Sequence, residues 1–177
     1  MEVTWIPRES NKLADYLAGI YDGDDWKLSD FWFEWLDELW GPHTVDRFAT
    51  DKNNLLPRFN SAWYCPGTSG VNCFSMKDWH KENNWCNPPF GIIGKLLNVL
   101  RETRSTATII VPVWKGRHWW PLLCPDGFNF ASFVVSSVEL PRNSWGRPLF
   151  LPGAGRANEF AVGAPNFRVL AIRVSFV

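Results

Sequence analysis

Trp85-Cys86-Asn87-Pro88-Pro89-Phe90, continued by residues 92–101 and then by Thr106-Ala107-Thr108-Ile109-Ile110-Val111-Pro112-Val113, decides the architecture. A short apolar strand runs into a rigid corner, because Pro89 fixes its own φ and keeps Pro88 out of the helical region. Beyond the corner, Ile92, Ile93, Leu96, Leu97 and Leu100 recur at helical spacing and predict a helix from Ile92 to Arg101 with one apolar face. The near-continuous β-branched run from Thr106 to Val113 is what a strand buried on both faces looks like. Strand, helix and strand in succession predict an α/β protein with a mainly parallel sheet and helices on both faces.

Working outward, Phe31, Trp32, Trp35, Leu36, Leu39 and Trp40 mark a helix from Ser29 to Trp40, stopped by Gly41-Pro42. A short strand is expected from Thr44 to Ala49, and a long loop from Asp51 to Gly70, rich in Asn, Pro, Gly and Ser. Ser132 to Leu140 and Phe167 to Val177 read as further strands, forming a late antiparallel pair. Residues 1–28 differ from the rest. Val3 to Ile6 reads as a strand and Lys12 to Ile20 as a helix, followed by the acidic break Asp22-Gly23-Asp24-Asp25, and together these are too little to fold alone.

Eighteen basic residues balance eighteen acidic ones over 177 residues, so no global field draws the chain to nucleic acid, and any such contact must be local. The 12 Trp and 13 Phe point to stacking surfaces as well as core, since an indole N–H needs a partner. Cys65, Cys73, Cys86 and Cys124 form no CxxC pair, and no signal peptide or long apolar run is seen, so a reduced intracellular setting, nucleus or cytoplasm, and no membrane are expected. A zinc site from Cys65, Cys73, His80 and Cys86 matches no common ligand spacing, and free thiols are the plainer reading.

The corner itself suits one kind of chemistry. The nitrogen of an exocyclic amine becomes nucleophilic only as it moves toward tetrahedral geometry, and two acceptors aimed at its N–H bonds favour that change. The Asn87 side-chain oxygen and the Pro88 carbonyl are such a pair, and Phe90 offers a flat face for a flipped-out base. A Pro-rich turn between strand and helix is the alternative.

Asn-Pro-Pro-aromatic after Trp-Cys resembles the catalytic motif of amino-methyltransferases. The ordered set Asp46-Arg47-Phe48-Ala49-Thr50-Asp51-Lys52-Asn53-Asn54, Pro57-Arg58-Phe59, Asp78-Trp79, Trp85 to Phe90, Gly146-Arg147-Pro148-Leu149-Phe150 and Ala164-Pro165-Asn166-Phe167 resembles the phage-type Dam (DNA N6-adenine methyltransferase) domain over residues 29–177. The resemblance implies a Rossmann-like methyltransferase sheet, S-adenosylmethionine as donor and adenine-containing DNA as partner. It implies Asn87, Pro88, Pro89 and Phe90 as the catalytic corner, and Asp46, Phe48, Ala49 and Asp78 on the donor side. A glycine-rich donor turn is missing at Ala49-Thr50-Asp51, as it is in that family. Asp46 and Asp78 also have ordinary local uses at a strand end and as a cap, and Asn53, Asn54 and Arg58 either line the cleft or decorate a loop.

Lys115, Arg117 and His118, beside Trp114, Trp119 and Trp120, form a basic and aromatic cluster suited to phosphate and base. The alternative packs those indoles on the sheet and leaves the charges solvated. Trp5 to Leu17 resembles the C-terminal end of a retroelement RNase H domain, with Asp15 at its last metal-binding position. The sequence holds no second such carboxylate, so two-metal hydrolysis is not expected. The junction resembles DIRS-like retrotransposon polyproteins, which implies a 1–28 remnant or linker, a 29–177 methyltransferase domain and the rest of a polyprotein as partner. A non-catalytic module holding the same fold is the competing expectation.

Overall fold

Seven residues of the β-branched run form the centre of the sheet. In the computed structural model, which describes residues 26–141, 143–144, 147–152 and 165–177, this strand is β4 (Thr106–Pro112), with every residue after Thr106 buried. Before it come β1 (Trp26–Leu28), α1 (Asp30–Trp40), β2 (Val45–Asp46), β3 (Asn83–Cys86) and α2 (Ile93–Glu102). After it come α3 (Trp120–Leu123), β5 (Val134–Leu140), β6 (Asn143–Ser144), β7 (Arg147–Pro148), β8 (Phe150–Pro152) and β9 (Val169–Ser175).

The main sheet has the order β2-β3-β4-β9-β5. β2, β3 and β4 are parallel, with Asp46 opposite Trp85 and Cys86 opposite Ile109. β9 runs against both neighbours, from Thr106 opposite Ser175 to Pro112 opposite Val169 on one side, and along β5 on the other with a register slip between Val134 and Ser136. β5 therefore points the same way as β2, β3 and β4, and a single reversed strand is wedged between them. The run that reads as a wholly parallel strand has one parallel and one antiparallel neighbour, because burial on both faces dictates composition and direction does not. Two small antiparallel pairs, β1 with β8 and β6 with β7, complete the strands among the described residues. The chain is a mixed α/β protein.

α1 begins one residue after the expected start and buries Trp32, Phe33 and Leu36. It lies on the face of the sheet that carries Trp85, whose ring meets Phe33 edge-on at 4.8 Å. α2 buries Ile93, Leu96, Leu97 and Leu100, an i, i+3, i+4, i+7 stripe; each fully buried aliphatic side chain contributes about 1.5–3 kcal/mol. These residues belong to one continuous core that also takes in Trp79, Trp119, Trp120 and Phe150.

The 51–70 segment contains no regular helix or strand, yet it extends the sheet. Asp46 N–H donates to Arg58 O at 3.0 Å and Asn60 N–H to Asp46 O at 2.8 Å, so residues 58–60 run beside β2 as an added edge. The Val3–Ile6 strand, the helix from Lys12, Asp15, the acidic break, Gly146 and Ala164 lie outside the described residues. No helix among the described residues is long and apolar enough to cross a membrane.

Candidate active site

Parallel strands bring their carboxyl ends to one edge of a sheet, where ligands bind in open α/β folds. Here that edge carries Asp46 at the end of β2, Asn87-Pro88-Pro89-Phe90 just past the end of β3, and Val113 and Trp114 just past β4. The reversed strand brings Phe167 and Arg168 to the same edge, with Val113 N–H donating to Arg168 O at 2.8 Å.

At the corner, the Pro89 carbonyl accepts from Ile92 N–H at 3.1 Å and starts the turn that leads into α2. The Pro88 carbonyl accepts no hydrogen bond from the described residues. Asn87 is half-buried, with Oδ1 shielded from solvent. Phe90 is 6% exposed, held edge-on by Trp114 at 4.9 Å and by Phe167 at 6.0 Å. Its ring is thus part of a three-ring wall whose other members, Trp114 and Phe167, are half-buried, with the Arg117 guanidinium 5.1 Å from the Trp114 ring.

Asp46 is 2% exposed. Its two oxygens accept the N–H groups of Phe48 at 3.3 Å and Leu55 at 3.2 Å, so the following loop folds back over it. Burial pushes the carboxyl up to about 6, against the pull of those two hydrogen bonds and of the Lys27 charge. Phe48 packs edge-on against Phe74 at 5.8 Å, and Ala49 is buried.

The neighbouring Arg47 is buried outright, a position its charge would not suggest. Its guanidinium donates to Asn84 Oδ1 at 2.8 Å, Asn60 Oδ1 at 2.8 Å and Asp78 Oδ1 at 2.9 Å, and lies 4.4 Å from the centre of the Trp79 ring. Arg58 holds the other Asp78 oxygen and also pairs with Glu82. Burial tends to raise the Asp78 carboxyl, but the hydrogen bond and charge of Arg47 and the charge of Arg58 outweigh it and hold it below its ordinary value. Asp78 is an ion-pair hub under the loop, turned toward two arginines. Asn53 accepts from Thr50 N–H at 2.6 Å and Asn54 donates to Leu56 O at 3.0 Å, so both side chains shape the loop.

Lys115, Arg117 and His118 are exposed together on the turn after β4. Trp119 is not among them: it is 1% exposed, tilted against Trp120 and close to Gly94 of α2, and presents no face to a nucleotide in this structure. The indole of a surface turn is buried here because the chain dives into α3 one residue later. Cys73, Cys86 and Cys124 are buried and Cys65 half-buried, all as free thiols; burial pushes Cys73 up to about 12 and raises Cys86 well above its ordinary value. Among the described residues no group of three His, Cys, Asp or Glu side chains is placed to hold a metal ion.

Two buried polar groups were not signalled by the sequence pattern, the Arg47 cluster and a chain centred on His43. His43 Nδ1 lies 2.5 Å from Asp37 Oδ1 and Nε2 lies 2.7 Å from Thr108 Oγ1, while Arg173 reaches Thr108 at 3.3 Å and Asn83 at 2.6 Å. Only periodicity argues for them beforehand: Thr108 falls within the buried run of β4. No family model matches the sequence, and no curated protein matches it.

Proposed function

We propose that residues 29–177 form a Rossmann-like methyltransferase domain that transfers a methyl group from S-adenosylmethionine to the exocyclic N6 amine of adenine in DNA. The observation that carries this reading is the placement of Asp46 and the Asn87-Pro88 corner at the carboxyl ends of adjacent parallel strands, with the Pro88 carbonyl accepting no hydrogen bond from the described residues. The parallel run β2-β3-β4 within the mixed sheet supports a Rossmann-like reading.

Asp46 fits the ammonium group of the donor's methionine portion by charge and place, since each carboxylate oxygen keeps a lone pair after accepting its one N–H. Its burial means that the Phe48–Leu55 segment parts when the donor enters. When bound, the donor supplies an electrophilic methyl group on a sulfonium. Asn87 Oδ1 and the Pro88 carbonyl would accept the two N–H bonds of the amine and favour the tetrahedral nitrogen that takes the methyl group, the sulfur keeping the electron pair of its broken bond to that carbon and the extra proton passing to water. The wall of Phe90, Trp114 and Phe167 excludes water beside the base. Lys115, Arg117 and His118 meet the phosphates.

A second reading, a nucleic-acid-holding or packing module without catalysis, is favoured by the sealed Asp46 and the enclosed Phe90 ring. In both readings residues 1–28 are the RNase H remnant of a retrotransposon polyprotein, and the chain works in a reduced intracellular compartment where its free thiols persist.

Calorimetric titration with S-adenosylmethionine, followed by transfer to adenine-containing DNA, separates the two. The enzyme reading expects binding, and it expects Asn87→Ala to lower transfer by about 100-fold or more while donor affinity stays within about twofold. Absence of binding at millimolar donor ends it, and full transfer by Asn87→Ala removes Asn87 from the mechanism.

A further inference from the structure

α1 is apolar over more of its circumference than the core covers. At about 100° per residue its apolar positions follow one another without a gap from Phe31 round to Phe33, an arc of roughly 200° where one packed face needs about 100°. The core takes the part that holds Trp32, Phe33 and Leu36, which are buried. The flank made by Phe31, Trp35 and Leu39, at i, i+4 and i+8, is left uncovered: Phe31 is half-buried, Trp35 is 39% exposed and Leu39 is 49% exposed. An acidic row borders this flank. Glu34 and Glu38 are exposed and make no ion pair with a described residue, and α1 itself contains no basic residue.

The stretch that complements this flank lies in the same chain. The helix expected from Lys12 to Ile20 carries Leu13, Tyr16, Leu17 and Ile20 on one side, at i, i+3, i+4 and i+7, with Lys12 bordering them next to Tyr16. A helix of that length does not hold itself in water and needs an apolar partner. An antiparallel arrangement brings Leu13 to Leu39, Leu17 to Trp35 and Ile20 to Phe31. The rows match in length, about 10.5 Å from Leu13 to Ile20 and about 12 Å from Phe31 to Leu39. Charge selects the direction. Lys12 and the Glu34–Glu38 row precede their apolar arcs in the same angular sense, so antiparallel helices carry them on the same side of the contact and put Lys12 at Glu38. Parallel helices would put Lys12 on the opposite side, at the end where Asp30 is already held by Lys27. The connection closes easily, because the six steps from Ile20 to Trp26, where β1 begins, reach about 20 Å and packed helices lie about 8–10 Å apart. Residues 153–164, which continue from the strand paired with β1, offer only Phe160 and Val162 as large apolar side chains.

We propose that residues 12–20 dock as an antiparallel helix on the Phe31–Trp35–Leu39 flank of α1, with Lys12 beside Glu38. The first part of the chain is then built onto the 29–177 domain and shields its largest apolar helix face. This holds whether or not the Asn87 corner transfers methyl groups.

Hydrogen exchange of the whole chain, read by mass spectrometry on peptides covering residues 12–20, tests it. Exchange there is expected to be at least tenfold slower than in a free peptide of the same sequence. Leu17→Ser and Leu39→Ser each remove an apolar contact and are each expected to lower that protection about tenfold or more. Lys12→Glu and Glu38→Lys are each expected to lower it about two- to fivefold, and the double variant to restore it, a rescue that only the stated register gives. Should Leu39→Ser also expose α2 and β4 to exchange, Leu17→Ser and the charge exchange carry the test, since Glu38 is exposed. Protection equal to that of the free peptide, protection unchanged in Leu17→Ser, or a double charge variant no better than the single ones overturns the proposal. So does protection that falls on dilution as a dimer dissociates, which would assign the flank to a second copy of the chain.

Discussion

The Nε2 of His43, on the turn after α1, lies 2.7 Å from the hydroxyl of Thr108 in the middle of β4, and both residues are buried. With Nδ1–H donating to Asp37, the neutral ring accepts from Thr108, whose oxygen accepts in turn from Arg173. The chain Arg173, Thr108, His43, Asp37 ties α1 to two strands of the sheet, and each member has a single role only while His43 is uncharged.

Breaking that tie should loosen α1. His43→Ala is expected to destabilise the fold by about 2–4 kcal/mol, through a lost buried ring and stranded partners, measured by urea denaturation at neutral pH. Burial is the main influence on the ring and holds it below its ordinary value of 6.5, despite the opposing hydrogen bond and charge of Asp37. Below that value the unfolded chain takes up a proton that the folded one refuses. Stability from His43 is therefore present above it and lost as pH falls through it. His43→Gln should flatten that part of the pH–stability curve, and an unchanged slope would show that another group sets it.

Asp46 has the opposite sign. Its carboxyl ordinarily titrates near 3.8 and is pushed to about 6 by burial. Between those values the folded chain keeps a proton that the unfolded chain releases. The stabilisation is complete below the lower value and is lost as pH rises through the upper one. Relative to Asp46→Asn, the natural chain should lose up to about 3 kcal/mol between about pH 4 and about pH 7. Parallel curves for the two proteins would contradict this account.

Arg47, just past β2, joins β3, the 58–60 edge and the Asp78 turn through three hydrogen bonds. Arg47→Met strands Asn60, Asn84 and Asp78 around an apolar side chain and is expected to cost about 3–5 kcal/mol. Arg47→Lys, whose single ammonium cannot reach three separate acceptors as a fork does, should restore only part of the loss. Chemical denaturation of both variants checks the order, and a lysine variant as stable as the natural chain would refute it.

Gly41 ends α1 under tight constraint. A Cβ there would lie 2.3 Å from the Asp37 carbonyl oxygen and 2.4 Å from the carboxylate oxygen that holds His43. Gly41→Ala is expected to destabilise by more than about 2 kcal/mol and to disturb the His43 imidazole resonances in an NMR spectrum. A silent substitution would mean that the turn relaxes freely.

Hydrophobic pattern made much of this fold legible. α1, α2, β4 and β9 lie within a residue or two of where Phe31 to Trp40, Ile92 to Leu100, Thr106 to Val113 and Leu170 to Phe176 place them. The same pattern is silent on partners. Nothing in Leu170, Ile172 and Val174 says that their strand separates β4 from β5, because burial reports depth and not neighbours. The polar interior was equally hidden: Arg47 and His43 are hydrophilic by composition and become core residues only when Asn60, Asp78, Asp37 and Thr108 arrive from elsewhere in the chain. At the corner, the Pro-Pro step was readable from backbone sterics alone. The enclosure of Phe90 was not, since it needs Phe167 from the far end of the sequence.

The wedge position of β9 also sets the order in which this molecule can be completed. On a ribosome, β4 and β5 emerge and must wait, each with an open edge of amides and carbonyls, until residues 169–175 follow and join both at once. The last seams to be made are the two that flank this strand, second from one edge of the sheet. Until then the nascent chain presents open strand edges on β4 and β5, so chaperone demand should fall abruptly when that strand inserts.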